Sequence, residues 1–379
     1  MSDSPTPVGA LLRAATPDRL PEVVLEHLRR HYAAGEVEVL LGDLTQRGLW
    51  PVLDPGGPAG NALAVRCFGS QRPLVDVAAD ASRAYLPLTV WGERLGVLVV
   101  ETTLPAGTEL TGDLSAVADE FAVALRAAHP TTDRYRRVIR RERLTMAAEL
   151  QWELLPGRSL GDDRFLVAGQ LEPAYAVYGD HFDWTLAGDR LTLTVLNGDG
   201  DGLGAAMLTA VAVNAMRNAR RSGANIVEQA ELASDAVHAR YGGAVHAATL
   251  LLEIDLVGGY VEAVDAGSPR AVIARERDFH AVALEQQLPL GMFGEIRYET
   301  QRFRLEPADR LLVVSDGVHA ATPSGRAPYG ETALLTALRR TRLQPATEAV
   351  GTVMRGLREY HAGTDPDDDA VTVCLDWRR

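Results

Sequence analysis

The sequence predicts an α+β protein with an N-terminal α/β domain, a connecting helix and a C-terminal antiparallel β-sandwich flanked by helices. Helical and strand-like runs alternate first, up to about residue 130. A stretch without glycine or internal proline follows, and strand-like runs in hairpin order then alternate with long helical stretches. The predicted divisions are residues 1–130, 131–157 and 158–379.

The N-terminal region has the composition of a small α/β domain. "PEVVLEHLRRHY" places apolar residues at helical spacing, and "VEVLLGD" is typical of a strand followed by a turn. "AYLPLTVWGERLGVLVVE" predicts a hairpin, and "LSAVADEFAVALRAA" predicts a helix. This order resembles a GAF sensor domain over about residues 10–128. The resemblance implies a small-molecule ligand for that domain.

The segment "DRYRRVIRRERLTMAAELQWELLP" predicts one long helix from Asp133, ended by Pro156 and Gly157. Its many arginines are interpreted as a solvated helix face rather than a nucleic-acid patch. An apolar stripe along it is formed by Tyr135, Ile139, Met146 and Leu150. Such a stripe needs a partner. We expect a homodimer through this helix, with packing on its own domain as the alternative.

Strand-like runs dominate the C-terminal region. Most end at Gly, Asp or Pro, and they are "RFLVAGQLEPA", "RLTLTVLN", "ATLLLEIDL", "YVEAVDAG", "AVIARE", "RLLVVSDG" and "AVTVCLDW". Long helical stretches are predicted from Ala205 to Arg221, from Ile226 to Tyr241, and near Thr332 to Tyr360. Hairpin order favours an antiparallel sandwich over a parallel βαβ sheet.

Charge and composition exclude several classes of function. The net charge is −13, which disfavours nucleic acid and anionic membrane as partners. There is no lysine, so a Walker-type phosphate loop is excluded. Cys67 and Cys374 are far apart and indicate neither a disulfide framework nor a thiolate metal site. No apolar run approaches the roughly 18–20 residues of a membrane span, so we expect a soluble cytoplasmic protein.

Four aspartates lie in turns next to apolar runs: Asp180 in "YGDHFD", Asp199 in "NGDGDGLG", Asp316 in "SDGV" and Asp369 in "DDDAVT". Carboxylates that converge from several loops repel one another unless cations lie between them, and oxygen ligands favour Mg²⁺ or Mn²⁺ over zinc. The pattern therefore indicates a two-metal centre. The loop that holds Asp199 lacks the acceptors of an EF-hand. Its Gly200, Gly202 and Ala205 satisfy GxGxxA, so a dinucleotide site stays as an alternative.

These motifs together resemble the SpoIIE/RsbU-like phosphatases of the PPM, or protein phosphatase 2C, superfamily. The resemblance covers about residues 144–377. It rests on an ordered set: "AAELQWELLP", "YGDHFD", "GDGDGLGAAML", "LPLGM", "LEPADRLLVVSDGV" and "DDDAVTV". It implies an αββα sandwich with two Mn²⁺ or Mg²⁺ ions that hydrolyses phosphoserine or phosphothreonine on a protein. The implied substrate is a phosphorylated STAS-type anti-sigma-factor antagonist.

The resemblance also implies roles for individual residues. Asp199 matches the aspartate that bridges the two metals, and the carbonyl of Gly200 is a further ligand. Asp316 and Asp369 match direct ligands of one metal, and Asp180 matches a ligand acting directly or through water. Asp183 is implied as a partner behind the ligands. Metal-activated water is then the nucleophile. His181 is a candidate general acid, with an exposed turn residue as the alternative.

The sequence departs from the family pattern at three positions. Tyr178 stands where glycine is usual, Ser268 replaces histidine in "AGSP", and Ala320 occupies a glutamate position in "DGVHAA". None is one of the four ligand aspartates. These departures raise an alternative from another class, a catalytically weak or inactive pseudophosphatase that acts as a signal-dependent binding module.

Overall fold

The computed structural model describes residues 7–57, 59–78, 80–140, 143–172, 177–323, 326–331, 333–362 and 368–378. It divides the chain into two compact units, Met1–Arg143 and Leu144–Arg379. No helix in these ranges is both long and apolar enough to cross a bilayer.

The N-terminal unit is built on one antiparallel five-stranded sheet. Its strands are β1 (Ala34–Gly42), β2 (Leu49–Pro51), β3 (Leu74–Val77), β4 (Ser82–Val90) and β5 (Glu93–Thr102). Their order in the sheet is β2-β1-β5-β4-β3. Its helices are α1 (Val8–Ala14), α2 (Leu20–His31), α3 (Ala62–Ser70), α4 (Thr108–Ala128) and α5 (Asp133–Ile139), with short 3₁₀ turns at Pro17–Arg19 and His129–Thr131. The predicted helices, strand and hairpin of this region are confirmed, whereas α1, α3, β2 and β3 were not predicted. The GAF-like assignment stays a prediction.

The C-terminal unit is a sandwich of two antiparallel sheets. The five-stranded sheet has the order β14-β11-β10-β9-β8 and the six-stranded sheet has the order β13-β12-β15-β16-β7-β6. The strands are β6 (Ser159–Gly161), β7 (Phe165–Glu172), β8 (His181–Ala187), β9 (Arg190–Gly198), β10 (Ala247–Asp255), β11 (Tyr260–Ala266), β12 (Arg270–Arg275), β13 (Asp278–Ala281), β14 (Gln301–Arg304), β15 (Arg310–Val314) and β16 (Ala370–Trp377).

Four helices cover the outer faces of the sheets: α7 (Gly202–Arg221), α8 (Ile226–Tyr241), α10 (Ala333–Arg340) and α11 (Ala346–His361). Two further helices are α6 (Met146–Leu154), which packs against α7, and α9 (Asp316–His319), which follows β15. Apolar side chains of α7 and α8 pack on the five-stranded sheet, and those of α10 and α11 pack on the six-stranded sheet. A third core fills the space between the sheets. The predicted αββα sandwich is therefore confirmed as an architecture.

The single long helix predicted from Asp133 to Leu155 is wrong. Arg140 is extended, Thr145 caps the start of α6, and two shorter helices take its place. The physical reason is that each half is buried in its own unit. Tyr135 is fully buried in the N-terminal core, whereas Ala148 packs in the C-terminal unit. The predicted stripe is correspondingly broken, because Tyr135 and Ile139 lie in α5 whereas Met146 and Leu150 lie in α6.

The helical stretch predicted near Thr332 to Tyr360 is also interrupted, and Thr332 itself lies outside the described residues. The structure has two helices, α10 and α11, with Pro345 at the N-cap of the second. Proline lacks the N–H that a continuous helix requires, so it fits only at such a start.

Candidate metal centre

The four predicted aspartates lie at one edge of the sandwich. Asp180 directly precedes β8, and Asp199 directly follows β9, which pairs with β8 through His181 and Leu196. In the other sheet, Asp316 follows β15 and Asp369 precedes β16, with Val314 paired to Thr372. Antiparallel neighbours bring the end of one strand beside the start of the next. Each sheet thus contributes two aspartates to the edge.

Gln151 connects the two pairs. Its amide Nε2 donates to the backbone carbonyl of Asp180 at 2.8 Å and to the Oδ2 of Asp369 at 2.7 Å. The same Oδ2 accepts a hydrogen bond from the backbone N–H of Tyr178 at 2.9 Å. Gln151 is 1% exposed and Asp369 is fully buried. The motif "AAELQWELLP" contains Gln151, but no local pattern indicates that this side chain contacts Asp369.

Asp316 is held by a different amide. Asn197, near the end of β9, donates from Nδ2 to Asp316 Oδ1 at 2.5 Å, and the backbone N–H of Gly317 donates to the same oxygen at 3.0 Å. A Cβ added to Gly317 would lie 1.7 Å from the carbonyl oxygen of Asp369. Only glycine permits this approach. Gly317 therefore allows Asp316 and Asp369 to lie side by side.

Asp180 is fully buried, and neither carboxylate oxygen has a hydrogen-bond partner among the described residues. Burial raises the pKa of Asp180 well above its ordinary value, the carboxylates of Asp368, Asp316 and Asp369 raise it further, and the side chain of Ser315 opposes them only in part. An unpaired buried carboxyl group is costly to keep in a folded protein. Its retention here is consistent with a cation ligand.

Asp199 is the most accessible of the four. Its side chain is 46% exposed, its backbone N–H donates to the carbonyl of His246 at 3.0 Å, and its carboxylate lies 3.6 Å from the His246 Nδ1. Gly200 has a φ of +96°, in the left-handed region that favours glycine. Asp201 is exposed at the start of α7 and makes no capping hydrogen bond. The antiparallel pairing of β9 with β10 also argues against the dinucleotide alternative.

The aspartates share an edge without forming a preassembled metal-binding set. Within the described ranges, no three His, Cys, Asp or Glu side chains are grouped as a metal site. Asp180 and Asp369 are linked through Gln151, and Asp316 lies beside Asp369 across the Gly317 approach. Asp199 is connected to its surroundings through His246 instead.

His181 and Asp183 occupy other surroundings than the sequence predicted. His181 is fully buried in β8, so the alternative of an exposed turn residue is wrong. Burial lowers the pKa of His181 to about 3. The ring is therefore neutral at physiological pH, which argues against a general acid. Asp183 faces α7 and accepts hydrogen bonds from Arg217 at 2.7 and 3.1 Å. It is paired with arginine rather than with the ligand aspartates.

The three departures from the family pattern lie around this edge. The backbone N–H of Tyr178 donates to Asp369, as described above. The carbonyl of Ser268 accepts a hydrogen bond from His319 Nε2 at 3.1 Å, and its hydroxyl lies 3.5 Å from Asn197 Nδ2. Ala320 is exposed at the end of α9. Tyr178 thus contacts Asp369 directly through its backbone, and Ser268 contacts Asn197, which holds Asp316.

A known family matches the C-terminal half of the chain. The sequence model of stage II sporulation protein E (SpoIIE) matches residues 187–378, which is just over half of the sequence. The chain belongs to the SpoIIE family. This confirms the resemblance to SpoIIE/RsbU-like phosphatases of the PPM superfamily. The match includes Asp199, Asp316 and Asp369, whereas Asp180 and Gln151 lie before it. Comparison with curated protein sequences finds no significant match.

Solved structures share the SpoIIE-family fold. The SiaA-PP2C domain of Pseudomonas aeruginosa is 18% identical with a TM-score of 0.53, over 61% of this chain and 94% of that one. The PP2C phosphatase domain and regulatory-domain fragment of Bacillus subtilis SpoIIE is 13% identical with a TM-score of 0.50, over 95% and 87%.

A third structure holds the RsbU and RsbW domains of a Mycobacterium tuberculosis protein. It is 20% identical with a TM-score of 0.50 and covers 57% of this chain. The SpoIIE-family chain spans 62% of the length of that Mycobacterium tuberculosis chain. At these identities the three similarities establish the fold.

Proposed function

We propose that this SpoIIE-family chain is a metal-dependent protein phosphatase that hydrolyses phosphoserine or phosphothreonine. The observation that carries the proposal is the edge at which Asp180, Asp199, Asp316 and Asp369 lie, where the buried carboxylate of Asp180 has no hydrogen-bond partner within the described part of the chain. All of these donors are oxygens, which suit Mg²⁺ and Mn²⁺.

The four aspartates and the Gly200 carbonyl would hold two Mn²⁺ or Mg²⁺ ions. Such ions, when bound, supply a hydroxide from water and neutralise phosphoryl oxygens. The other residues position the ligands: Gln151 and the Tyr178 N–H hold Asp369, and Asn197 holds Asp316. None of this requires a nucleophile from the protein.

The substrate proposed from the family resemblance is a phosphorylated STAS-type anti-sigma-factor antagonist in the cytoplasm. We further propose a small-molecule ligand for the GAF-like domain. The homodimer stays a proposal as well. Because Tyr135 is buried in its own unit, the residues of the original stripe left for pairing are chiefly Met146 and Leu150, which are 67% and 38% exposed.

One observation favours the second candidate, a pseudophosphatase that acts as a binding module. The aspartates of the described ranges are not grouped as a ready metal site. The contacts of Tyr178 and Ser268 place two departures from the family pattern beside Asp369 and Asp316. A binding module would bind Mn²⁺ and its partner without releasing phosphate.

The deciding experiment measures phosphate release by the purified chain with Mn²⁺, using phosphorylated STAS proteins from its own genome as substrates. A chelator and an Asp369→Asn variant serve as controls. We expect Mn²⁺-dependent release that both controls abolish. Calorimetric Mn²⁺ binding without release from any substrate would establish the binding module instead.

A further inference from the structure

A second candidate site lies at the opposite end of the six-stranded sheet. A groove of about 660 Å³ is lined there by residues of the β12–β13 hairpin, the turn before β15, and the end of α10 with the loop that follows it. Arg310 begins β15 and Val314 ends it, next to Asp316. Four residue steps of a strand span roughly 13 Å. The groove is therefore separate from the aspartate edge.

Part of the groove's charge is already neutralised. Arg275 is paired with Asp309 at 2.7 Å and with Glu306 at 2.6 Å. Arg310 donates to Asp376 at 2.7 Å and to the carbonyls of Thr341 and Gln344. These bonds fix the wall of the groove, including the loop after α10. They leave these two guanidinium groups little capacity for a ligand.

Three other arginines of the lining have no partner among the described residues. Arg277 lies at the hairpin tip, Arg339 at the end of α10 and Arg342 in the following loop, and all three are exposed. Glu276 is the one lining carboxylate outside the ion pairs described above. The unpaired lining side chains therefore carry a net positive charge, in a chain whose net charge is −13.

The floor between these arginines is apolar. Val272, Phe279, Leu312 and Leu338 line the groove. Leu312 and Leu338 are each 2% exposed and belong to the core under α10 and α11. A volume of this size is within the roughly 300–1,000 Å³ of small-molecule sites, which combine an apolar lining with a few polar groups.

We propose that this groove binds a small molecule that carries phosphate groups next to a ring, the chemistry of a nucleoside polyphosphate. Guanidinium groups bind phosphate oxygens bidentately, and the three free arginines supply that chemistry. The apolar floor and Phe279 supply a surface for the ring. A compact polyanion fits better than a long acidic peptide, because the chain's overall negative charge repels extended anions outside the groove.

The test is calorimetric titration of the full chain with ATP, inorganic pyrophosphate and adenosine in buffer that contains a chelator. Without divalent ions the aspartate edge cannot hold phosphate, so any ATP binding that is measured occurs at the groove. The result therefore does not depend on phosphatase activity. We expect saturable binding of ATP, weaker binding of pyrophosphate and none of adenosine. Arg339→Gln and Arg342→Gln should each weaken ATP binding roughly tenfold or more.

Arg340→Gln is the matched control, because Arg340 ends the same helix but does not line the groove. It should bind ATP as the unmodified chain does. Absence of saturable ATP binding, or an equal loss in Arg340→Gln, overturns the proposal. So does full displacement of ATP by a poly-glutamate peptide at lower concentration, which would make the groove a site for an acidic protein segment.

Discussion

Gln151 and Asp369 are joined by a 2.7 Å hydrogen bond between residues 218 positions apart, in which the amide donates to the buried carboxylate. Removing this donor by Gln151→Leu leaves Asp369 less well oriented. Residues that hold metal ligands typically change metal affinity or activity by about 10–100-fold. We expect a loss of that size in Mn²⁺ affinity, measured by calorimetry. Glu153→Gln, exposed on the same helix, should have little effect. Equal affinities for the Leu variant and the unmodified chain would contradict this role.

Asp199 and Asp201 lie in the same loop, so their asparagine variants form a matched pair. Asp199→Asn should lower Mn²⁺-dependent phosphate release by at least ~10³-fold, because a bridging charge and the hydroxide it helps to form are lost. Asp201→Asn should cost less than roughly tenfold, since Asp201 is exposed and makes no capping bond. The measurement is release at saturating Mn²⁺, with circular dichroism to check folding. Equal losses would overturn the assignment of Asp199.

Gly317 should tolerate no side chain. Gly317→Ala places a Cβ 1.7 Å from the Asp369 carbonyl oxygen, so the backbone must shift. We expect a loss of roughly 2–4 kcal/mol in the free energy of unfolding, measured with urea, together with loss of activity. Gly204→Ala is the control, because Gly204 lies in α7 with open space around its Cα. Unchanged stability of the Gly317 variant would show that the edge is not so constrained.

Replacing Asp180 should raise the stability of the chain and lower its Mn²⁺-dependent activity. Its raised pKa means that stability is fully present below the ordinary aspartate pKa of 3.8 and is lost as pH rises toward the folded value. Asp180→Asn removes this loss. In chelator at pH 7 the variant should melt at a higher temperature than the unmodified chain, by several degrees, while its Mn²⁺-dependent activity falls. A lower melting temperature of the Asp180→Asn variant in chelator would show that the buried carboxyl group does not destabilise the chain.

The N-terminal unit should be acid-sensitive through His129. Burial lowers the pKa of His129 from 6.5 to about 4. The unfolded chain therefore binds a proton between these values that the folded unit excludes. Stability is present above pH 6.5 and falls, by up to about 3 kcal/mol, as pH drops to 4. His129→Gln should flatten that dependence in urea unfolding, whereas the exposed His280→Gln should keep it. If the unfolding free energy of His129→Gln depends on pH as in the unmodified chain, His129 is not the source of the acid sensitivity.

The sequence predicted the strands that are continuously apolar and missed the shorter or more polar ones, of which β8 lies nearest to the four aspartates. Runs such as β9, β15 and β16 are buried along most of their length. The polar letters of "YGDHFD" indicated only a turn, but His181 and Asp183 lie inside β8. Asp183 is tolerated there because Arg217 of α7 neutralises it. Arg217 lies on a helix that follows later in the sequence, so no pattern around Asp183 indicates this ion pair.

The four aspartates of the edge could be singled out because each lies beside an apolar run at a turn. Their supporting residues were not, because Gln151 and Asn197 reach across from other elements. The prediction of a single linker helix was wrong for a similar reason. Its sequence lacks local helix breakers, and burial of its two halves in separate cores decided the outcome.

The position of α6 sets the smallest fragment that retains the proposed chemistry. A protein begun at residue 187, where the family match starts, would lack Asp180, β7, β8 and Gln151. One begun at 158 would keep all four aspartates and still lose the amide that holds Asp369. A fragment begun at Leu144 retains every one of these groups. A chimera with a different N-terminal unit would therefore have to be joined before Leu144, because α6, which the sequence made part of a connecting helix, belongs to the C-terminal unit.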